Sequence, residues 1–263
     1  MHDETSAIPK PSPRRDPLGG AEVHVWRASL KQPPEVLSAL AATLSPEELE
    51  RAARFHFRKD RDSFVVARGA LRDILGRYLG VPPRRVRFTY GEFGKPALAA
   101  ETCGGLPLSF NLSHSHELAC CAVACGREVG VDVEHLREGV EVLSLAGHFF
   151  SRAEVAALGA LPPEQRLRGF FNCWTRKEAY IKARGEGLSH PLDAFTVSLE
   201  PGSRAALLST ERDPAEAARW TLTDLPVGDD YAAALACEGP APVLRRRDWN
   251  PRNSAEFRAS DPV

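Results

Sequence analysis

Apolar residues recur at two spacings along this chain, and the spacing divides it into elements. Residues 22–26 alternate polar and apolar, which predicts a first strand. From Pro33 to Leu44, Val36, Leu37, Leu40 and Leu44 stand at helical spacing. Ser45-Pro46-Glu47-Glu48 reads as a second helix start: the serine caps, the proline takes the first turn, and the acids meet the positive end of the dipole. Between Asp60 and Leu79, the residues Phe64, Ala67, Leu71, Ile74, Leu75 and Tyr78 mark a long amphipathic helix; Gly80 ends it and Pro82 follows. Shorter apolar runs predict strands at about 86–90, 108–112, 118–124 and 129–134. Asn111-Leu-Ser-His-Ser115 is assigned to a turn at the end of one of them. A helical stretch at 142–150 and a capping box, Ser151-Arg-Ala-Glu154, come next. A helix is predicted over 163–184, closed by Gly185 and Gly187, and strands at 195–199, 220–225 and 231–237. Two tails rich in Pro and Arg, 1–20 and 241–263, are predicted to be disordered or frayed. No fixed-period repeat is visible.

Composition narrows the picture. The 263 residues are 43% apolar and 26% charged, enough for one large domain or two small ones. A formal net charge of −1 supplies no global field for nucleic acid or an anionic membrane, so an anionic ligand has to be held by local basic residues. The first twenty residues lack the apolar core of a secretory signal, and the longest strongly apolar run, 118–125, is far too short to span a bilayer. Cys103, Cys120, Cys121, Cys125, Cys173 and Cys237 show no C-x-x-C spacing, and the adjacent Cys120 and Cys121 point to opposite faces of a strand. They read as reduced, mostly buried thiols of a cytoplasmic protein.

The candidate chemistry centres on Trp174-Thr-Arg-Lys-Glu-Ala-Tyr-Ile-Lys182. On a helix, Trp174, Lys177, Glu178, Ile181 and Lys182 share one side, so charges stand where an anchoring stripe would be apolar. A surface Glu178–Lys182 pair explains this if the motif stands alone. A second motif, Gly130-Val-Asp-Val-Glu134, puts Asp132 and Glu134 on one strand face and Val131 and Val133 on the other. Two repelling carboxylates need a cation, and a hard divalent ion serves best. Mg²⁺ takes one or two protein carboxylates and fills its octahedron with water and substrate phosphate. Glu178 is a third candidate ligand from the helix. A lone D-x-E is more often an exposed strand end. The third motif, Gly94-Lys95-Pro96 followed by Phe110-Asn-Leu-Ser-His-Ser115, presents a cation on a tight turn, then a hydroxyl and an imidazole suited to phosphate. Arg51, Arg58, Lys59, Arg61, Arg68 and Arg72 make the preceding region basic, through a solvated face or an anion site.

In this order and spacing the motifs resemble the 4′-phosphopantetheinyl transferases of the larger, surfactin-synthetase-activating type, over roughly residues 22–237. The resemblance implies an α+β fold, a pseudo-dimer of two similar α+β halves (21–126 and 127–240) with coenzyme A in the cleft between them. It implies transfer of the 4′-phosphopantetheine arm of coenzyme A to a serine of an apo acyl or peptidyl carrier protein, releasing 3′,5′-ADP. Asp132, Glu134 and Glu178 then correspond to the Mg²⁺ site, and Lys182 to the lysine on the phosphate and leaving group. Ser113 and His114 correspond to contacts with coenzyme A phosphates, and Lys95 and Arg51 to further phosphate or nucleotide contacts. The serine comes from the partner, so Glu178 first, or Glu134, is the candidate base. Glu48 departs from relatives that carry a basic residue there. Arg58, Lys59, Arg61, Arg72, Arg84 and Arg85 are candidates to receive an acidic carrier. The chain is expected to act as a monomer, with neither nucleic acid nor membrane as partner. The competing readings are a metal-dependent nuclease or phosphohydrolase, and a non-catalytic module that binds coenzyme A or carrier.

Overall fold

The computed structural model describes residues 16–187, 191–211, 213 and 215–253. The first half opens with strand β1 (Glu22–Ser29), then helices α1 (Pro34–Ala41), α2 (Pro46–Ala53) and α3 (Arg58–Leu79). The hairpin β2 (Phe88–Tyr90) and β3 (Pro96–Leu98), a short α4 (Ala100–Cys103), and strands β4 (Leu108–Ser115) and β5 (Leu118–Cys125) follow. The second half runs β6 (Val129–His135), α5 (Val142–Phe149), α6 (Arg152–Ala160) and α7 (Pro163–Arg184). It continues with β7 (Phe195–Val197), β8 (Leu207–Thr210), α8 (Glu216–Arg219), β9 (Trp220–Asp224) and β10 (Tyr231–Glu238), and the chain returns in β11 (Val243–Asp248).

The local signals explain the boundaries. Ser45 and Glu48 form a reciprocal capping box at α2, and Ser151 and Glu154 form another at α6. Gly80 and Gly185 leave α3 and α7 with φ of 67° and 73°, the left-handed conformation a glycine adopts without strain. At α6, the Glu154 amide donates to Ser151 Oγ (3.3 Å), the Ser151 amide donates to Glu154 Oε2 (2.8 Å), and Thr196 Oγ1 bonds Ser151 Oγ (3.0 Å). Ser151→Ala is therefore expected to cost about 1 kcal/mol, seen as a lower urea midpoint with an unchanged slope.

Two main sheets result, ordered β11-β1-β5-β4 and β6-β10-β9, beside the two-stranded pairs β2-β3 and β7-β8. One apolar cluster joins α3 to the first sheet through Leu71, Leu75, Trp26, Phe110 and Val123. A second joins α7 to the other sheet through Phe170, Tyr180, Ala234 and Ala236. The third lies between the sheets: Val23, Val25, Cys120 and Ala122 meet Val131, Val133 and Leu235. Each half is thus a sheet with a long helix on its outer face, and the fold is an α+β pseudo-dimer. Alternation along β6 sends Val131 and Val133 into this shared core and turns Gly130, Asp132 and Glu134 toward α7. Cys120 and Cys121 likewise part between the inter-sheet and first-sheet cores.

Three expectations are corrected. The chain does not fray throughout 241–253. Strand β11 pairs in parallel with β1, from Glu22↔Val243 to Arg27↔Asp248, and Trp249 is buried with its indole N–H on Asp73 (2.8 Å). Two arginines there find partners on or near β1: Arg245 bonds Glu22 (2.9 Å), and Arg247 lies 5.2 Å over the Trp26 ring and bonds Asp16 (3.2 Å). Residues 16–20 of the first tail are also engaged, since the Asp16 amide donates to the Arg77 carbonyl (3.0 Å) and Leu18 packs on the core. Residues 1–15 and 254–263 lie outside the described residues. Finally, the Asn111–Ser115 motif is strand throughout. The reversal comes at His116, whose φ is 53°.

Candidate active site

Backbone approach sets the register of α7 on β6. A Cβ on Gly130 would stand 2.1 Å from the Ala179 carbonyl oxygen and 2.3 Å from the Ala183 nitrogen, so only glycine allows this contact. Two residues along the strand, Asp132 meets the helix at Lys182: Nζ lies 2.5 Å from Asp132 Oδ1 and 3.1 Å from Ser113 Oγ. Ser113 Oγ also donates to Asp132 Oδ1 (2.8 Å), and Ser115 Oγ donates to Glu134 Oε2 (2.7 Å). Asp132 is only 2% exposed, and its Oδ2 has no hydrogen-bond partner among the described residues.

The acids share one field. Burial raises the pKa of Glu178; Lys182 opposes that, and Asp132 and Glu134 add to it. Glu134 is raised by burial and by Asp132, against Ser115, Arg137 and Lys182. Among the described residues no three of His, Cys, Asp and Glu form a ready-made metal cage. As placed, it is the Lys182 ammonium that bonds the inner carboxylate. The donor set nonetheless suits Mg²⁺: it is all carboxylate oxygen, and the buried Oδ2 of Asp132 is unpartnered.

The two lysines of the central helix part company, which corrects the single stripe expected of it. Lys177 is fully buried. Its Nζ bonds Glu154 (2.8 Å) and the Leu192 and Phe195 carbonyls (2.7 and 2.5 Å) and lies 4.2 Å over the Phe195 ring. Adjacent helical positions differ by about 100°, so Lys177 and Glu178 diverge at the edges of a broad face. Trp174 packs among Phe149, Phe150 and Phe170.

Two concavities are lined by the expected site residues. A cavity of about 240 Å³ is lined by Gly94, Lys95, Asn111, Glu178, Ile181 and Lys182. There Lys95 is engaged, donating to Glu128 Oε2 (2.6 Å) and to the Ala183 carbonyl at the end of α7 (2.7 Å). A larger basic cavity, about 780 Å³, is lined by Arg51, Arg54, Arg68 and Arg87 with Phe88 and Tyr90. His114 responds to both sites. Desolvation by the surrounding protein lowers its pKa, and the Lys182 and Arg51 cations lower it further.

Glu48 departs from a basic residue for a visible reason. It is the capping-box acid of α2 and also the buried counter-ion of Arg68 (2.6 Å) and Arg72 (2.7 Å). Arg72 is 2% exposed and donates to the Pro83 and Val86 carbonyls, so it cannot meet a docking partner as expected. Burial alone would raise the pKa of Glu48; the two guanidinium groups and the Ser45 amide outweigh burial and hold it below the ordinary range. A depressed carboxylate stabilises the fold above its unfolded pKa and loses that contribution as pH falls through the folded one. Thermal stability is accordingly expected to drop between about pH 5 and pH 3, with a shallower acid limb in Glu48→Gln.

Every expected site residue except Arg51 thus lies on or beside the β4–β6–α7 seam. Sequence reasoning overlooked Ser115 and Asn111 as contributors. Their signal was the period-two pattern Asn-x-Ser-x-Ser opposite Gly-x-Asp-x-Glu.

Comparison with known proteins agrees with this architecture. A model described as 4′-phosphopantetheinyl transferase, N-terminal, matches residues 25–126, and one described as 4′-phosphopantetheinyl transferase superfamily matches residues 128–236. The 4′-phosphopantetheinyl transferase HetI of Nostoc sp. is 44% identical over 229 residues, covering 87% of this chain and 93% of the relative. A putative 4′-phosphopantetheinyl transferase of Synechocystis sp. is 32% identical, covering 81% of this chain and 85% of the relative. The 4′-phosphopantetheinyl transferase Sfp of Bacillus subtilis is 31% identical over 62% of this chain and 70% of its own length. The two-halved α+β enzyme described above therefore belongs to the 4′-phosphopantetheinyl transferase superfamily.

Proposed function

We propose that this transferase moves the 4′-phosphopantetheine arm of coenzyme A onto a serine of an apo acyl or peptidyl carrier protein, dependent on Mg²⁺, and releases 3′,5′-ADP. The observation that carries the reading is the convergence of Lys182 from α7 on Asp132 from β6, at 2.5 Å, beside Glu134 and Glu178. The carrier serine Oγ attacks the β-phosphorus of the pyrophosphate; its bond to phosphorus forms as the bond to the departing 3′,5′-ADP oxygen breaks. Asp132, Glu134 and Glu178 are the residues that would hold Mg²⁺, which when bound neutralises pyrophosphate charge. Lys182 stabilises the charge growing on the leaving phosphate. Glu178, whose pKa burial raises, accepts the serine proton, with Glu134 as second candidate. Ser113, His114 and Lys95 address the phosphates, and Arg51 in the larger cavity addresses the nucleotide end. The halves divide at Gly126, where φ is 69°. The six cysteines are unpaired, which suits a reducing cytoplasm.

Mass spectrometry of apo fatty-acid, polyketide, peptide-synthetase and lysine-pathway carriers after incubation with coenzyme A and Mg²⁺ tests this. At least one carrier is expected to gain the mass of one phosphopantetheine arm, and chelation with EDTA is expected to abolish the gain. Mg²⁺-dependent cleavage of DNA with every carrier unmodified would favour the nuclease reading instead.

A further inference from the structure

Strands β4 and β6 are edges of different sheets, yet they run side by side. The side of β6 away from β10 has amides to satisfy, and side chains of β4 supply the acceptors. Asn111 Oδ1 accepts from the Val131 amide (2.9 Å), Ser113 Oγ from Val133 (3.4 Å), and Ser115 Oγ from His135 (3.1 Å). The offset is twenty residues each time, so the three bonds form one register. Both serines then spend their own protons on the acid between those amides: Ser113 on Asp132 (2.8 Å) and Ser115 on Glu134 (2.7 Å). Each hydroxyl therefore accepts from backbone and donates to carboxylate at once. A slip of one residue would break all five bonds together.

We propose that Asn111, Ser113 and Ser115 are a side-chain register clamp between the halves, and that Ser115 is the positioning residue that aims Glu134 into the site. This rests on the reading of the acids as a Mg²⁺ site and deepens it. A ligating carboxylate on a free strand end samples several rotamers. A hydroxyl anchored to the next residue's amide selects one, and partners of this kind change metal affinity or activity about 10–100-fold when removed.

The test uses the full chain. Mg²⁺ binding is measured calorimetrically without turnover, Mn²⁺ binding by electron paramagnetic resonance, and transfer kinetics alongside. Ser115→Ala is expected to weaken binding of both ions about 10-fold and to lower kcat by a similar factor, with KM for coenzyme A within about twofold of wild type. Ser115→Thr, which keeps the hydroxyl, is expected to restore both. Should the alanine variant fail to fold, Ser115→Cys, similar in shape but a weak donor, is expected to show the same weakened ion binding. A variant lacking the hydroxyl that loses thermal stability but binds Mg²⁺ like wild type would reduce Ser115 to a structural role and overturn the proposal. So would a threonine variant as impaired as the alanine one. Wild-type enzyme that neither binds Mg²⁺ nor transfers the arm would overturn the underlying reading, and the clamp's role in metal binding with it.

Discussion

Asp132→Ala is expected to lower kcat/KM for phosphopantetheine transfer by about 10³-fold while the enzyme stays folded. The size follows from losing one preorganised charged group at a phosphoryl-transfer centre, which costs about 10²–10³-fold or more. Asp132 is where three lines of the site cross: the Lys182 ammonium, the Ser113 hydroxyl and a buried oxygen without a partner among the described residues. Without the carboxylate, Lys182 loses its anchor and the Mg²⁺ donor set loses its buried member. The fold tolerates the change because Lys182 is 29% exposed and can turn to water, so no unpaired charge is sealed inside. Steady-state kinetics on a modified carrier, with a thermal scan of the same sample, check both parts. Lys182→Ala is expected to lose a comparable factor. Wild-type turnover in either variant would remove that residue from the chemistry.

Gly130→Ala is expected to destabilise the protein by about 3 kcal/mol or more, a fall in Tm of about 10 °C for a chain of this size. The added methyl would sit 2.1 Å from one α7 backbone atom and 2.3 Å from another, and backbone cannot rotate aside as a flexible side chain does. The helix has to lift from the strand, and Lys182 lifts with it, so transfer falls together with stability. Gly147 is the control. It lies in α5 with nothing among the described residues within 4 Å of an added Cβ, so Gly147→Ala is expected to be neutral or to stabilise by up to about 1 kcal/mol. Equal effects at the two positions would show that the contact between β6 and α7 does not govern Gly130.

Much of the fold was legible because its signals are local. The helix over 163–184 is found with both ends as expected, since Pro163 opens it and Gly185 closes it in a left-handed turn. The two faces of β6 follow from alternation alone. Strand β11 was not legible. Its Val-Leu-Arg-Arg-Arg run has no apolar face of its own and becomes a strand only because β1, some 220 residues earlier, offers an edge, an acid and the Trp26 ring. Strand β8, Leu207–Thr210, was missed for a similar reason: it is short, and its pairing with β7 defines it. Arg72 was expected to meet a docking partner and Lys177 to share one side of the helix with Glu178 and Lys182, yet both are buried in ion pairs elsewhere. Their counter-ions, Glu154 and Glu48, are themselves helix-capping acids, a double duty that spacing does not reveal.

By itself the sequence determined where helices begin and stop, which strand face carries Asp132 and Glu134, and, through its ordered motifs, the family of enzyme. These depend on backbone preference and side-chain periodicity within a few residues. Only the tertiary structure decided which cations reach the cleft, how two sheet edges are stitched by Asn111, Ser113 and Ser115, and that the last strand completes the first sheet. Those outcomes depend on partners far away in the chain, and the free energy of pairing a charge or an amide exists only once the partner is in place.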